Sequence, residues 1–148
     1  MKRKKIFLLL TLLIIILGLV VFLFSQKEKR FANIYLGGKI IRAEIVKRQR
    51  EMAVGLSKYD DLNENQGMLF IFPVKTKPGF WMKNMKFAID IIWLNENKIV
   101  DLTANLLPPI GDDLRVYYPK EPVNKVLEVK AGFINRNNLK IGEEIIIK

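Results

Sequence analysis

The sequence contains no cysteine and no histidine among its 148 residues. Without cysteine the chain can form no disulfide, no thiolate metal site and no lipidated cysteine anchor. Without histidine it lacks the commonest metal ligand and the commonest general base. Serine is also scarce, since only Ser25 and Ser57 occur, and neither has a histidine to activate it. The usual hydrolase triads are therefore excluded, and no metal or other cofactor is expected.

An uncharged apolar run covers residues 6–24. As a helix, this run would be about 28 Å long, close to the roughly 30 Å hydrocarbon thickness of a bilayer. It ends in Phe-Leu-Phe-Ser-Gln and not in the small-x-small pattern of a signal-peptide cleavage site. We therefore predict an uncleaved transmembrane signal anchor, a helix that contacts membrane lipid through residues 6–24.

Positive charge surrounds this run and prevails in the whole chain, whose formal net charge is +10. The positive-inside tendency predicts a cytoplasmic basic tail at residues 1–5 and a single pass through the cytoplasmic membrane. Residues 25–32 then form a polar linker on the extracytoplasmic side. The dispersed lysines and arginines are typical of a solubilising surface, and they also suit anionic envelope components. Nucleic acid is not an expected partner there.

Residues 33–148 have the pattern of one mainly β domain. Two alternating segments around Gly37-Gly38 predict a hairpin. The continuous apolar run 67–72, closed by Pro73, predicts a strand buried on both faces. Six or more such short strands favour a β-sandwich or a barrel-like domain over an alternating β-α-β sheet.

One segment departs from this strand pattern. Residues 48–59 place apolar side chains at helical spacing and predict one short helix that ends near Gly55 or Ser57. The predicted architecture is therefore a transmembrane helix followed by a β domain with a single short helix.

The segment most unusual in composition is residues 80–85, which combine aromatic, apolar and ionisable side chains on a predicted strand. If it forms a hairpin with the strand that follows, Lys83 faces Asp90. One interpretation is structural: the two residues form an ion pair, or Lys83 reaches the surface while Asp90 accepts hydrogen bonds from a turn. The other is a pocket lined by Trp81 and the methionines, in which Lys83 and Asn84 donate hydrogen bonds to an anionic or polyhydroxyl ligand. The candidate ligand-binding residues are Trp81, Met82, Lys83, Asn84 and Asp90.

Two further carboxylates, Glu51 and Glu128, rank below these candidates. Paired carboxylates are the familiar hydrolytic apparatus that needs neither histidine nor cysteine, so Asp90 with Glu51 or Glu128 could serve a glycan hydrolase. The simpler interpretation of Glu51 is a solvated helix face or a backbone cap. That of Glu128, in the middle of an apolar strand, is a partner for a nearby lysine. No residue is predicted to be catalytic on this basis.

Five motifs make the sequence similar to the DUF192 family, a domain of unknown function, over residues 33–148. They are Glu51-(x)3-Gly55-Leu56, Gly67-Met68-Leu69-Phe70-(x)-Phe72, Phe80-Trp81-Met82-Lys83-Asn84, Asp90-Ile91-Ile92 and Val126-Leu127-Glu128-Val129-(x)-Ala131-Gly132. The resemblance implies a β-rich, sandwich-like domain, often found behind a signal or membrane segment, with no established activity. The chain departs from the family pattern at Met85, where threonine is usual, and at Ser57, where methionine is usual.

We expect from the sequence a membrane-anchored, extracytoplasmic module of the cell envelope that binds a ligand without catalysis or serves as an accessory domain. The first alternative is a carboxylate-dependent hydrolase of cell-wall glycans. The second is a structural subunit of a membrane assembly, which predicts an exposed apolar patch in place of a pocket. The oligomeric state is left open.

Overall fold

The computed structural model describes residues 11–18, 31–111 and 115–148. The chain divides into two compact units, residues 1–30 and residues 31–148. In the first unit, residues 11–18 belong to a helix, α1. The rest of the predicted span 6–24, the basic tail and most of the predicted linker lie outside the described residues. No helix within the described ranges has both the length and the apolar character that crossing a bilayer requires.

The second unit is mainly β, as the sequence predicts. Its described residues form two short α-helices and one turn of 3₁₀ helix, at Gln49–Val54 (α2), Gly55–Lys58 (3₁₀) and Phe133–Arg136 (α3). Its strands are β1 Phe31–Leu36, β2 Lys39–Val46, β3 Gln66–Thr76, β4 Phe80–Trp81, β5 Ile89–Asn95, β6 Lys98–Leu106, β7 Val116–Tyr117, β8 Val123–Lys130 and β9 Ile146–Ile147.

Seven of these strands form one curled sheet in the order β6-β5-β8-β3-β2-β1-β9. Neighbouring strands are antiparallel except for the parallel pair β2 and β3, which the segment containing α2 connects. The sheet is strongly curled, so that its two edges approach each other. Ile99, at the start of β6, donates a backbone hydrogen bond of 2.8 Å to Glu143 O, just before β9. The sheet is thus a half-barrel rather than a sandwich, and β4 and β7 form a separate two-stranded ribbon.

Both faces of the sheet are buried in the central parts of β3, β5 and β8. The face enclosed by the curl forms an inner core that includes Leu69, Ile92 and Leu127 and is closed by α3. The opposite face forms an outer core that includes Phe70 and Trp93 and is covered by α2, the 3₁₀ turn and the β4 ribbon. Because side chains alternate along each strand, neighbouring residues of β3, β5 and β8 enter different cores.

Several local predictions are confirmed. The hairpin around Gly37-Gly38 pairs Leu36 with Lys39, and both glycines have positive φ, as a tight two-residue turn requires. Helix α2 ends at Gly55, whose φ of 51° suits glycine. The run 67–70 is buried on both faces.

Two predictions about strands and one about helices are wrong. Strand β3 does not stop at Pro73 but continues to Thr76 through a register irregularity, where proline is tolerated. Residues 80–85 do not pair with β5, because β4 is only two residues long and pairs with β7. The sequence predicted one helix, within residues 48–59, but the structure has a second α-helix, α3. The two strand errors concern pairings between parts of the chain that are distant in sequence.

Candidate functional site

A cleft of about 230 Å³ lies between α2 and the β4 ribbon, on the outer face of the sheet. Helix α2 and the following turn contribute one wall, β4 and its neighbouring residues contribute the other, and β3 and β8 form the base. The side chains that matter for its chemistry are Met52, Phe70, Phe72, Phe80, Trp81, Lys83, Met85 and Glu128. The described lining residues are mainly apolar, and their polar side chains are the carboxyl group of Glu128, the ammonium group of Lys83 and the amide of Gln49.

The carboxyl group at the base of the cleft belongs to Glu128, in the middle of β8. Its neighbours in register are Met68 of β3 and Ile91 of β5, so apolar side chains flank it on both sides. The residue is 5% exposed, and its Oε2 atom has no hydrogen-bond partner among the described residues. The prediction that a nearby lysine pairs with Glu128 is therefore wrong for this carboxyl oxygen.

Burial determines the ionisation of Glu128. Removal from water disfavours the charged form and raises the pKa of the carboxyl group from 4.5 to about 8. At neutral pH the folded protein therefore holds a protonated acid at the base of the cleft. A protonated carboxyl group can donate one hydrogen bond and accept others.

Gly55 keeps the space above Glu128 open. A Cβ atom at this position would lie 4.0 Å from Glu128 Oε2 and 3.6 Å from Phe70 Cζ. Larger side chains would extend into the cleft, and the positive φ of Gly55 disfavours them independently. The glycine thus serves the helix end and the cleft together.

Edge-to-face aromatic contacts stabilise the wall of the cleft that β4 forms. The Phe80 ring lies 4.9 Å from the Phe70 ring and 5.4 Å from the Trp93 ring, at interplanar angles of 83° and 89°. Trp93 is fixed in turn, because its Nε1 atom donates a hydrogen bond of 2.8 Å to Thr103 Oγ1. Phe80 is thereby immobilised between two core rings, while the adjacent Trp81 is half exposed.

The structure separates the candidates predicted in residues 81–84. Trp81 and Lys83 line the cleft. Met82 is buried in the outer core. Asn84 is exposed in a turn closed by a hydrogen bond of 3.1 Å from Met85 N to Met82 O, and its φ of 59° is a conformation that asparagine tolerates well.

Asp90 lies elsewhere. It is fully buried on the inner face of β5, where Oδ1 accepts a hydrogen bond of 2.8 Å from Asn105 N and Oδ2 accepts one of 2.8 Å from Ile134 N. These bonds connect β5 to the end of β6 and to the first turn of α3. The predicted contact between Lys83 and Asp90 does not form, because Lys83 is exposed outside the sheet and β5 pairs with β6 and β8.

The carboxylates proposed for a hydrolase do not converge either. Asp90 pairs in register with Val129 and Glu128 pairs with Ile91, so alternation places the two carboxyl groups on opposite faces of the sheet. The Glu51 side chain is 45% exposed on α2 and lies 3.7 Å from Arg48, which agrees with the solvated helix face expected for it.

Sequence reasoning did not identify Met52, Phe70 and Phe72 as site residues. Their signal was weak, since apolar residues in a helix and a buried strand are usually core residues. Glu128 carried the better signal, a single ionisable residue within an apolar strand, but its lack of a partner depends on the tertiary structure.

Comparisons with known proteins agree with the fold. The sequence model of the family DUF192, described as "Uncharacterized ACR, COG1430", matches residues 32–147. A UPF0127 protein of Pyrococcus furiosus is 33% identical over 81 residues, which are 53% of this chain and 65% of that protein. The match thus spans slightly less than two thirds of this relative.

Two crystal structures have the same fold. A Novosphingobium aromaticivorans protein of unknown function superposes with a TM-score of 0.70 at 25% identity, covering 78% of this chain and 83% of that one. A Sinorhizobium meliloti protein, for which a role as a transcription regulator has been suggested, superposes with a TM-score of 0.71 at 21% identity, covering 79% and 92%. At that identity the second likeness concerns the fold alone.

We expect Asp90→Asn to destabilise the domain by about 2–4 kcal/mol, because an amide NH₂ group then faces one of two buried backbone N–H donors. Chemical denaturation measures the change. Asp60→Asn is the control, since Asp60 is exposed and pairs with Lys86 at the surface, and it should cause little change. Equal stabilities of the two variants would contradict the structural role of Asp90.

We expect Glu128 to make the domain less stable as the pH rises. Between 4.5 and about 8 the unfolded chain loses this proton while the folded protein retains it. The free energy of unfolding should therefore fall by about 1.4 kcal/mol per pH unit from this group alone. Below 4.5 the group contributes no penalty, and above about 8 the penalty is constant.

The substitution Glu128→Gln should remove this slope. Denaturant unfolding from about pH 5 to about pH 9 compares it with the wild type. Glu51→Gln, a change of the same kind at an exposed helical position, should retain the wild-type slope. Parallel pH profiles for wild type and Glu128→Gln would show that the carboxyl group is not desolvated.

Proposed function

Because this chain belongs to the DUF192 family of uncharacterized proteins, we propose its function from the cleft itself: a non-catalytic module that binds a small ligand around Glu128. The observation that carries the proposal is a buried carboxyl group whose Oε2 atom has no partner among the described residues, at the base of an aromatic cleft. Such a group costs stability unless a ligand satisfies it.

The chemistry of the lining supports binding over hydrolysis. Glycan hydrolysis by paired carboxylates needs two carboxyl groups across one cleft, roughly 5 to 9.5 Å apart. Glu128 is the single carboxyl group among the described lining residues. Asp90 lies on the other face of the sheet, where it accepts hydrogen bonds from two backbone N–H groups. The cleft is also smaller than the roughly 300–1,000 Å³ typical of sites for drug-sized ligands, so the ligand should be small.

The two ends of the cleft differ in polarity. The exposed ammonium group of Lys83 suits an anionic or hydroxyl group at the entrance, whereas the protonated carboxyl group of Glu128 requires a polar group at the base. Between these two ends, the rings of Phe80 and Trp81 suit the apolar body of the ligand. Polar contacts at both ends with an apolar middle are common in small-molecule sites.

The test is a fragment screen of the full-length chain, with the methyl groups of Met52 and Met85 observed by NMR. We expect fragments that shift both methyl signals, and we expect Trp81→Ala to weaken their binding about tenfold by removing an aromatic wall. Tyr118→Ala is the control, because Tyr118 is exposed and is not a lining residue of the cleft. A screen without cleft ligands, or an equal loss in both variants, would overturn the proposal.

We also propose that residues 6–24 anchor this module in the cytoplasmic membrane, with the β domain on the extracytoplasmic side. The support is the uncharged apolar sequence of the run and the basic residues before it. In this position the module would encounter envelope components.

We expect the full chain to stay in the membrane fraction after alkaline carbonate extraction. Leu13→Arg combined with Ile16→Arg should release it, because each central charge costs about 2.5–3.5 kcal/mol on insertion. Ile40→Arg, at an exposed position of β2, is the control and should remain bound. Extraction of the unaltered chain would refute the anchor.

A further inference from the structure

We propose that the cleft recognises a substituted ammonium group, which pairs with the Glu128 carboxylate at the base while the aromatic walls surround its alkyl substituents. This inference rests on the proposed function and deepens it, because it names the ligand class. Glu128 supplies the anion of an ion pair, and the ligand supplies the cation.

Glu128 is an unusual group to bury without a partner. A carboxyl group in an apolar site is stabilised most strongly by a cation at short range, because the low local dielectric strengthens their attraction. Met68 and Ile91 lie beside Glu128 in the sheet. Gly55 lies above Glu128 and places no side chain over its carboxyl group. Glu128 lines the base of the cleft, so a cation bound there would lie next to this residue.

The walls suit an organic cation better than a metal ion. Phe70, Phe72, Phe80 and Trp81 line the cleft with Met52 and Met85. Aromatic faces attract alkylammonium groups, and thioethers make favourable contacts with apolar groups. A metal ion would find a single carboxylate, Glu128, among the described lining residues, and no group of three or more carboxylates in the described part of the chain could hold one.

Few other charged groups face Glu128. Lys83 lines the exposed entrance, where water screens its charge. Glu44 lies on the same face two strands away, beyond Met68, and is bonded to Lys58 and Tyr59. On α2, Glu51 and Arg48 form an exposed pair. The cation at the base of the cleft would thus meet Glu128 as its nearest charge.

Binding of such a cation is coupled to a proton. The neutral Glu128 carboxyl group releases its proton to solvent when the ammonium group arrives, and the resulting carboxylate pairs with it. The ligand keeps its own charge, and no covalent bond forms. Because burial raises the pKa of Glu128 to about 8, affinity should rise nearly tenfold per pH unit between about pH 6 and about pH 8 and then become constant.

The experiment compares choline chloride with its neutral isostere 3,3-dimethylbutan-1-ol by titration calorimetry on the full-length chain. Choline should bind with the stated pH dependence, and two buffers of different ionisation enthalpy should reveal release of about one proton at neutral pH. The alcohol should bind more weakly and without this dependence. Equal affinities for the two compounds would overturn the inference.

Two variants locate the effect. Glu128→Gln, which keeps the shape but not the charge, should weaken choline binding about thirtyfold and abolish proton release. Lys83→Gln removes the competing positive charge at the entrance and should strengthen choline binding about twofold, whereas an anionic ligand would be weakened. An unchanged affinity in Glu128→Gln would refute the ion pair.

A competition arm distinguishes the sources of such a group. Displacement of choline by soluble dihexanoylphosphatidylcholine would support the ammonium class and indicate a lipid headgroup. Failure of that displacement, with choline still bound in the cleft, would support the class and indicate a free amine. If other fragments occupy the cleft and choline does not, the ammonium inference fails while the binding function stands. If nothing occupies it, both fail.

Discussion

The centre of the sheet, which is buried on both faces, imposes the main constraint on this domain. Strands β5 and β8 lie inside it, with the inner core on one side and the outer core on the other. In residues 89–94 of β5 and residues 126–129 of β8, side chains on both faces are buried. Any ionisable residue there must find partners in the protein, become neutral or be satisfied by a ligand.

Asp90 and Glu128 meet this constraint in different ways. Asp90 accepts hydrogen bonds at both carboxyl oxygens from backbone donors of Asn105 and Ile134, and thereby connects the sheet to α3. Glu128 lies one strand away on the opposite face, and its Oε2 atom has no such partner among the described residues. Burial alone does not distinguish the two carboxyl groups, whereas hydrogen-bond satisfaction does. The first is a structural group, and the second is a candidate for recognition.

Sequence patterns predicted the parts of the fold that depend on neighbouring residues. Gly37-Gly38 specified the hairpin turn, and Gly55 specified the end of α2, because both features arise from local backbone conformation. The partner of β4 was not predictable in this way. Its pairing with β7 joins segments more than thirty residues apart, with β5, β6 and a proline-containing loop between them. The unusual composition around Trp81 indicated one wall of the cleft, but no local pattern showed that Glu128 lies at its base.

The residues of the sequence motifs described above fall into two groups in space. Asp90, with Ala131 and Gly132, belongs to the inner side: Ala131 N bonds to Ala88 O, Gly132 begins α3 at a φ of 83°, and Asp90 binds the next turn. The motifs with Gly55, Trp81 and Glu128 meet at the cleft.

Gly67 connects the two groups. A Cβ atom at this position would lie 2.7 Å from the backbone oxygen of Glu128, so the absence of a side chain lets β3 and β8 pair closely beneath the cleft. One set of motifs thus stabilises the sheet. The other set surrounds the buried carboxyl group of Glu128 with a mainly apolar cleft. The distant motifs that have no evident role in the inner core converge on Glu128. A site for recognition explains that convergence better than packing does, because packing alone would favour an apolar residue at that position.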